Sequence, residues 1–329
     1  MNLYLATDNG LTIGQYENGA AEVINQTLTE YEVTSVIARE GVILAGTTEG
    51  VQRSDDDGRS WRPVNNGLAI RHVRWLAYHP AVSDLEFAGT EPAGIFVSSD
   101  GAESWQEKPE VGRLRDEQEW FLPYSPEAGC VRGFAFQGQS SAFQGQRIYA
   151  AVEVGGLLAS DDQGQSWALV PGSDGIPQFG RPQPDFIHPD VHSVAVHPQA
   201  GAMVYAPTGG GFYVSEDSGR TWELRYDCYC RAVWVDPADP RHLVLGPATS
   251  VSRDGRIEET KDAGQSWSAI HEGSEAPWPN HMVERFTQID NQLLAVLSNG
   301  HLLAAEIGRW QWQRIFASTP KIRCISNSH

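Results

Sequence analysis

The chain has 329 residues, with 24 Lys and Arg against 42 Asp and Glu, so its formal net charge at pH 7 is −18. An acidic excess of this size argues against general binding to nucleic acid or to an anionic membrane surface, because both carry negative charge. The chain contains no apolar run near the length of about twenty residues that a membrane-spanning helix needs. Residues 1–7 lack a basic segment and a signal-like apolar stretch, and four irregularly spaced Cys do not indicate a disulfide scaffold. We therefore expect a cytoplasmic protein that binds neither nucleic acid nor membrane.

The predicted elements are short β-strands separated by Gly-rich and Pro-rich turns. Residues 3–7, 10–14 and 21–24 predict three strands at the start of the chain. Six longer units follow, and each begins with an apolar strand that often ends in His-Pro or Asp-Pro. These first strands start near Tyr31, Arg71, Val131, Val191, Cys230 and Met282. A second strand, a Gly-rich turn, a third strand, a polar turn and a fourth strand complete each unit.

One polar turn of eight residues occurs five times with the pattern Ser/Thr-x-Asp-x-Gly-x-Ser/Thr-Trp, and only Ala102 replaces the Gly. The hydroxyl and the carboxylate can bond to backbone groups in a tight turn, the Gly suits a positive φ angle, and the Trp can anchor the turn in a core. The five copies are residues 54–61, 98–105, 160–167, 215–222 and 260–267. Such repetition indicates one supersecondary unit used many times.

This pattern resembles the Asp-box, or BNR repeat, of sialidases, sortilin-type receptors, xyloglucan-cleaving hydrolases and photosystem II assembly factors. The resemblance spans nearly the whole chain and implies a β-propeller with the motif between the third and fourth strands of a blade. It implies little about activity, because these families differ in chemistry. A sialidase is not expected, since that family is six-bladed and begins with an Arg-Ile-Pro motif that is absent here. The xyloglucan-cleaving hydrolases use two propellers, and this chain has room for one.

We predict an all-β fold, a single seven-bladed β-propeller over residues 1–329. The three strands at the start of the chain lack a first strand, which residues 322–326 can supply. Pairing the N- and C-terminal segments in one blade closes the ring and leaves no open edge. The predicted blades are residues 1–29 plus 320–329, 31–69, 70–129, 130–189, 190–228, 229–280 and 281–318.

A ring of charged residues is predicted at one end of the propeller. Antiparallel connectivity places the second-to-third and fourth-to-first loops at one end, the top, and the repeated turns at the other end, the bottom. Aligned on the pattern apolar-x-x-apolar, the first strands carry at their second position Thr34, Arg74, Arg132, His192, Arg231, Glu284 and Arg323. Because Arg binds carboxylate, sulfate or phosphate through two parallel hydrogen bonds, this ring predicts an anion site. The alternative is that these Arg pair with acids on neighbouring strands.

Long connections at the top favour a covered pocket. The expanded segments are residues 106–129, 171–189, 247–256 and 268–281. Their aromatic residues are Trp120, Phe121, Tyr124, Phe179, Phe186 and Trp278. These side chains either form apolar walls of a pocket or pack on the rim. The predicted ligand-binding residues are Arg74, Arg132, His192, Arg231, Arg323, His72, Trp120, Phe186 and Trp278.

The predicted function is binding of a small anionic molecule, a sugar acid or an acidic peptide segment. A first alternative is a glycosidase-like hydrolase or a lyase with Glu91, Glu153 or Glu284 as catalytic acid or base, because glycoside hydrolysis needs two carboxylates beside one bond. A second alternative is a non-catalytic assembly or scaffold propeller.

No metal and no cofactor are predicted. The residues His72, His188, Asp190, His192 and His281 fall at the top, but they belong to several blades, and nearby Arg would repel a cation. The sequence also has no Gly-rich phosphate loop followed by Lys and no nucleophile elbow.

Overall fold

The structure, a computed structural model, describes residues 2–17, 19–121, 129–138, 147–178 and 180–327. Within these residues the chain forms seven four-stranded antiparallel sheets and one α-helix. The sheets follow one another around a central channel as the blades of a seven-bladed β-propeller, which confirms the predicted fold class. No helix among the described residues is long and apolar enough to cross a membrane.

The first three blades contain the strands β1 to β11 together with the last strand of the chain. Blade 1 is made of β28 (Ile322–Asn327), β1 (Asn2–Thr7), β2 (Gly10–Glu17) and β3 (Ala20–Thr27). Blade 2 is made of β4 (Val33–Arg39), β5 (Val42–Thr47), β6 (Gly50–Ser54) and β7 (Arg62–Pro63). Blade 3 is made of β8 (Val73–Tyr78), β9 (Glu86–Thr90), β10 (Ile95–Ser98) and β11 (Gln106–Glu107).

The other four blades contain β12 to β27 in chain order. Blade 4 is made of β12 (Val131–Phe136), β13 (Ile148–Val152), β14 (Gly156–Ser160) and β15 (Ala168–Leu169). Blade 5 is made of β16 (Ala195–Val196), β17 (Val204–Thr208), β18 (Gly211–Ser215) and β19 (Glu223–Tyr226). Blade 6 is made of β20 (Tyr229–Val235), β21 (Leu243–Ala248), β22 (Glu258–Thr260) and β23 (Ser268–Ala269). Blade 7 is made of β24 (Val283–Ile289), β25 (Gln292–Leu297), β26 (Leu302–Glu306) and β27 (Gln313–Ile315).

The ring closes where the two ends of the chain meet in blade 1. Strand β1 pairs with β28, with Leu3 opposite Asn327 and Leu5 opposite Ile325. This pairing confirms the predicted closure. Among the described residues, seven buried hydrophobic clusters each join two successive blades, and one of them joins blade 7 to blade 1. Burial of apolar surface between blades is therefore continuous around the ring.

Each repeated turn is held by its own hydroxyl and carboxylate groups, as the copy at residues 160–167 illustrates. The Ser160 hydroxyl oxygen accepts the N–H of Gly164 at 2.8 Å and donates to Asp162. The Asp162 carboxylate accepts both the N–H and the hydroxyl of Ser166. The Gly position takes a positive φ in all five copies, and Ala102 adopts φ 68° in the second copy. These turns join the third and fourth strands at the bottom end.

An α-helix lies in the segment 106–129, which was predicted to be a long loop. Helix α1 (Pro109–Glu117) starts with Pro, whose fixed φ suits the first helical position. Its buried Val111 packs in the cluster between blades 3 and 4. Glu110 accepts the N–H of Trp167 at 2.9 Å, and Arg115 donates to the carbonyl of Ala93 at 3.1 Å. The helix therefore packs against two blades and supplies no residue to the cavity described below.

Candidate functional site

The ring of predicted residues coincides with a series of β-bulges in the inner strands. In β4, β8, β12, β20, β24 and β28 the pairing register shifts at one place near the top of the strand. The residues that the pairing skips include Thr34, Arg74, Arg132, Arg231, Glu284 and Arg323. A bulge leaves a residue out of the ladder and redirects its side chain. The same irregularity in six blades therefore turns six polar side chains towards the channel.

These six side chains line a cavity of about 580 Å³ at the top of the channel. Glu91 and Glu153 contribute from second-to-third loops, and Val251 contributes from the loop after β21. Arg285 and Lys321 also line the cavity, although the aligned pattern did not identify them. Arg285 directly follows Glu284, and Lys321 directly precedes β28. Only this position beside ring residues could have identified them as cavity residues from the sequence.

Two carboxylates and two guanidinium groups form a continuous ion-pair chain across the cavity floor. Arg132 lies 3.2 Å from Glu153 and 3.6 Å from Glu284. Arg231 lies 2.5 Å from the other oxygen of Glu284 and donates to the Tyr229 hydroxyl at 3.0 Å. The structure therefore brings Arg132, Arg231, Glu153 and Glu284 together, but as mutual partners rather than as free cations.

Two other predicted Arg also face acids. Arg74 lies 3.3 Å from Glu91, and His72 lies 4.0 Å from the same carboxylate. Arg323 lies 2.6 Å from Glu32, which comes from the loop before β4. All four Arg of the ring therefore pair with acids, which is the alternative to an anion site that the sequence left open.

Arg285 differs from its neighbours in having no carboxylate partner within 4.0 Å among the described residues. Its guanidinium lies 3.8 Å from the centre of the Trp75 ring and 3.5 Å from the carbonyl oxygen of Arg132. Burial lowers its pKa below the usual value for Arg, and the nearby Arg132 lowers it further. Arg remains protonated at neutral pH, so Arg285 adds to the cavity a positive charge without a direct carboxylate partner among the described residues.

The charge environment makes Glu153 and Glu284 poor proton donors. Burial raises the pKa of Glu153, but Arg132, His192 and a hydrogen bond from Cys130 together lower it by more, so the net pKa is lowered. Burial likewise raises the pKa of Glu284, but the nearby guanidinium groups, and Arg231 most strongly, lower it by more. A glycosidase needs one carboxylic acid that stays protonated near neutral pH. Neither Glu153 nor Glu284 meets that requirement in this state of the site.

His192 does not reach the cavity, contrary to the predicted ring. Strand β16 begins only at Ala195, so His192 lies in an irregular segment, and its side chain is fully buried. Its Nδ1 lies 2.9 Å from the Cys230 carbonyl oxygen, and its Nε2 lies 3.2 Å from Asp190. One ligand atom each from Glu153, Asp190 and His192 lies within 4.8 Å of the others. The sequence did not predict this cluster because its members come from two different blades.

The predicted aromatic residues do not form the cavity wall. Trp120 is fully buried between blades 3 and 4, where its N–H donates to the Gly175 carbonyl at 2.7 Å. Trp278 is buried between blades 6 and 7, and its N–H donates to the Ser274 carbonyl at 2.7 Å. Phe186 is half-buried and does not line the cavity. Large indole rings pack most favourably inside the blade interfaces when their N–H group finds a carbonyl there.

The long connections contribute less to the cavity than expected. Of the described residues in the four expanded segments, Val251 lines it, and Phe121 is exposed. Tyr124 and Phe179 lie outside the described residues. His72 approaches Glu91 but does not line the cavity.

A second cavity of about 250 Å³ lies deeper along the channel. It shares Arg132, Arg231, Glu284 and Arg285 with the upper cavity. Its other walls include the aromatic rings of Trp75, Phe134 and Phe286. The charged groups therefore form a layer between a polar upper cavity and a more apolar lower one.

The fold and this central cavity define a seven-bladed β-propeller, and known proteins of this fold resemble the chain at low identity. No family model matches the chain. An oligoxyloglucan-reducing end-specific xyloglucanase from Emericella nidulans is 24% identical in an alignment of 288 residues. The match covers 71% of this chain and 32% of that enzyme. The chain thus spans about a third of the length of this curated relative.

Solved structures show the same fold. The GH74 xyloglucanase from Xanthomonas campestris superposes with a TM-score of 0.61 at 18% identity, over 87% of this chain and 45% of that chain. The protein YCF48 bound to D1 peptide superposes with a TM-score of 0.58 at 14% identity, over 96% of this chain and 90% of that chain. At these identities the likeness concerns the fold alone.

Proposed function

We propose that this protein is a non-catalytic binding propeller whose upper cavity receives the carboxylate groups of an acidic peptide segment. The observation that carries the proposal is the local charge balance. Six cationic side chains line the cavity against three carboxylates, although the whole chain carries a net charge of −18. The six are Arg74, Arg132, Arg231, Arg285, Lys321 and Arg323.

Two of these cations are available to a ligand without breaking an ion pair. Arg285 has no carboxylate within ion-pair distance among the described residues, and Lys321 is exposed at the cavity edge. The paired Arg side chains hold their acids ionised and can share a guanidinium edge with an incoming carboxylate. Glu91 and Glu153 can accept backbone N–H groups, which a peptide supplies and a small acid does not.

The share of each similar protein that the chain covers supports a peptide over a sugar. The chain covers 90% of YCF48, whose structure contains a bound peptide, but only 45% of the Xanthomonas campestris xyloglucanase. The lowered pKa values of Glu153 and Glu284 weigh against the glycosidase alternative. An assembly or scaffold role is compatible with peptide binding. The Asp-box identity of the five turns and a cytoplasmic location also remain proposals.

Binding assays with charge-matched ligands test this function. A fluorescent peptide rich in Asp and Glu is expected to bind, whereas the same peptide with Asn and Gln is not. Affinity should fall steeply between about 50 and 200 mM salt, because exposed charges are screened over about 10 Å at 0.1 M. Glucuronate and galacturonate serve as competitors that test the sugar-acid alternative.

A matched pair of charge reversals locates the site. Lys321→Glu at the cavity edge should weaken acidic-peptide binding at least tenfold, because it places a carboxylate against the ligand. Lys261→Glu, an equal change on an exposed turn at the bottom, should leave the affinity unchanged. Equal binding of the acidic and neutral peptides, or equal effects of the two reversals, would rule out this site.

A further inference from the structure

The side chains of Glu153, Asp190 and His192 converge beside the upper cavity from two different blades. Glu153 follows β13 in blade 4, whereas Asp190 and His192 lie in the segment that enters blade 5. One ligand atom from each lies within 4.8 Å of the other two. Because Zn–N and Zn–O bonds are about 2.0–2.2 Å long, two ligands of one zinc ion are at most roughly 4 Å apart. Closing the cluster around a cation therefore requires side-chain shifts of about 1 Å.

The hydrogen bond of His192 orients its other nitrogen towards the two acids. Its Nδ1 lies 2.9 Å from the Cys230 carbonyl oxygen, which only accepts, so Nδ1 carries the proton. In the neutral ring Nε2 then carries a lone pair, and it lies 3.2 Å from Asp190 and 3.3 Å from the Tyr229 hydroxyl, whose hydrogen bond a cation would replace. Metal-bound His residues usually donate their second ring N–H to a carbonyl or carboxylate in this way.

The backbone of Asp190 is fixed by two hydrogen bonds, and a glycine packs against its carboxylate. Its backbone N–H donates to His188 Nδ1 at 3.2 Å, and its carbonyl accepts the N–H of Gly209 at 2.9 Å. A Cβ on residue 209 would lie 2.1 Å from Asp190 Oδ2, so only Gly allows this approach. The other oxygen, Oδ1, is buried without a hydrogen-bond partner among the described residues. An unsatisfied buried acceptor is costly, and a bound cation would offset that cost.

We propose that Glu153, Asp190 and His192 bind one divalent transition-metal ion of the zinc type. Two carboxylate oxygens and one imidazole nitrogen suit such an ion, and three protein ligands leave a coordination position open. Glu153 also lines the upper cavity, so an ion held by it would lie beside that cavity. Arg132 contacts Glu153 at 3.2 Å, so with a neutral His192 the two carboxylates and this guanidinium carry one net negative charge.

The competing arrangement is a metal-free ion pair between protonated His192 and Asp190, and metal uptake distinguishes the two. The tag-free full-length chain is treated with a chelator, loaded with ZnCl₂ and freed of unbound metal. Metal analysis and calorimetry should then find about one Zn²⁺ per chain. Asp190→Asn and His192→Gln should each weaken Zn²⁺ affinity at least tenfold, with Glu153→Gln as a third variant.

His242 supplies a matched control at another place in the fold. Its two ring nitrogens lie 2.7 Å from Asp236 and 2.8 Å from Glu259, so the two acids face opposite sides of the ring and cannot share one ion with it. His242→Gln and Asp236→Asn should therefore retain the Zn²⁺ of the wild type. The proposal is overturned if Asp190→Asn and His192→Gln bind Zn²⁺ as well as the wild type. If those variants do not fold, Zn²⁺ uptake by the wild type is the test. A folded wild-type chain that takes up no Zn²⁺ also overturns the proposal.

Discussion

Arg132 contacts carboxylates from two blades, and this pairing sets the chemistry of the whole cavity floor. Its side chain is only 11% exposed, and those of Glu153 and Glu284 are 14% and 18% exposed. Buried charges of this kind stay ionised only while each has its partners. Ring residues that recognise a ligand and ring residues that maintain the fold are therefore partly the same residues.

Removing Arg132 should destabilise the protein strongly. Arg132→Ala leaves Glu153 without its guanidinium partner, and such a loss costs about 3–5 kcal/mol in the free energy of unfolding. Arg323→Ala is the matched control, because its pair with Glu32 is 30% and 40% exposed and should contribute less than about 1 kcal/mol. Urea denaturation of both variants measures the difference. Similar small losses would mean that the Arg132 pairs do not stabilise the fold.

Glu86 should make stability decrease as the pH rises. Its side chain is buried at the start of β9, and burial raises its pKa from 4.5 to about 7, against an opposing effect of Arg39. In the unfolded chain Glu86 ionises near pH 4.5, whereas in the folded chain it stays protonated at that pH. The contribution of Glu86 to the free energy of unfolding is therefore fully present below pH 4.5. It is lost as the pH rises through about 7, and the change amounts to roughly 3 kcal/mol.

The variant Glu86→Gln tests this titration. Its free energy of unfolding, measured by denaturation at each pH, should increase relative to that of the wild type as the pH rises from about 5 to 8. Glu103→Gln serves as the control, because a hydrogen bond from Arg62 lowers the pKa of the exposed Glu103. Glu103 is therefore ionised in both states across this range. A constant difference between Glu86→Gln and the wild type would contradict the predicted titration.

At the scale of the element, the repeated turns and the inner-strand bulges have separate roles. The turns fix the bottom end of five blades through hydrogen bonds within eight residues. The bulges lie at the top ends of the inner strands and redirect the ring side chains. Because the two features lie at opposite ends of the blade, changes in the turns should affect stability without altering the cavity.

The variant Asp162→Ala should destabilise the protein without loss of ligand or metal binding. The carboxylate of Asp162 accepts two hydrogen bonds from Ser166 and one from Ser160, and comparable capping bonds contribute roughly 1–2 kcal/mol. The neighbouring Asp161→Ala removes an ion pair with Arg147 in which the Asp161 side chain is 61% exposed, and it should cost less than about 1 kcal/mol. Chemical denaturation gives both values, and equal losses would contradict the assigned role of the turn.

At the scale of the whole molecule, one strand from the end of the chain completes the ring. Strand β28 supplies Ile322, Cys324 and Ile325 to the clusters that join blade 1 to its two neighbours. It also pairs the edge of β1 and carries Arg323 into the cavity. Closure and site assembly therefore depend on the same segment.

Deleting residues 322–329 should abolish cooperative unfolding, because an unpaired β1 and two incomplete clusters would remain. A synthetic peptide of residues 320–329 added in trans should restore a cooperative transition, whereas a peptide of scrambled sequence should not. Thermal unfolding followed by circular dichroism measures both effects. An unchanged melting temperature in the truncated chain would show that the closing strand is dispensable.

The sequence alone determined the blade number, the turn motif, the closing strand and six of the seven ring positions. These features are local patterns repeated along the chain, such as Ser160-to-Trp167 or the apolar-x-x-apolar strands, and each repeat supports the others. The strand β28 was predictable because the first blade visibly lacked one strand. Helix α1 was missed, since its packing against blades 3 and 4 rather than a strong periodic pattern stabilises it.

Only the tertiary structure decided how the charged side chains combine. Arg132 lies beside Glu284 of another blade, and Glu153 lies beside His192, because ring closure and bulges bring distant segments together. Tertiary packing likewise placed Trp120 and Trp278 inside the blade interfaces instead of the cavity wall. A periodic sequence specifies which residues share a level of the propeller. Which of them pair depends on distances of a few ångströms across the channel, and no pattern along the chain encodes those distances.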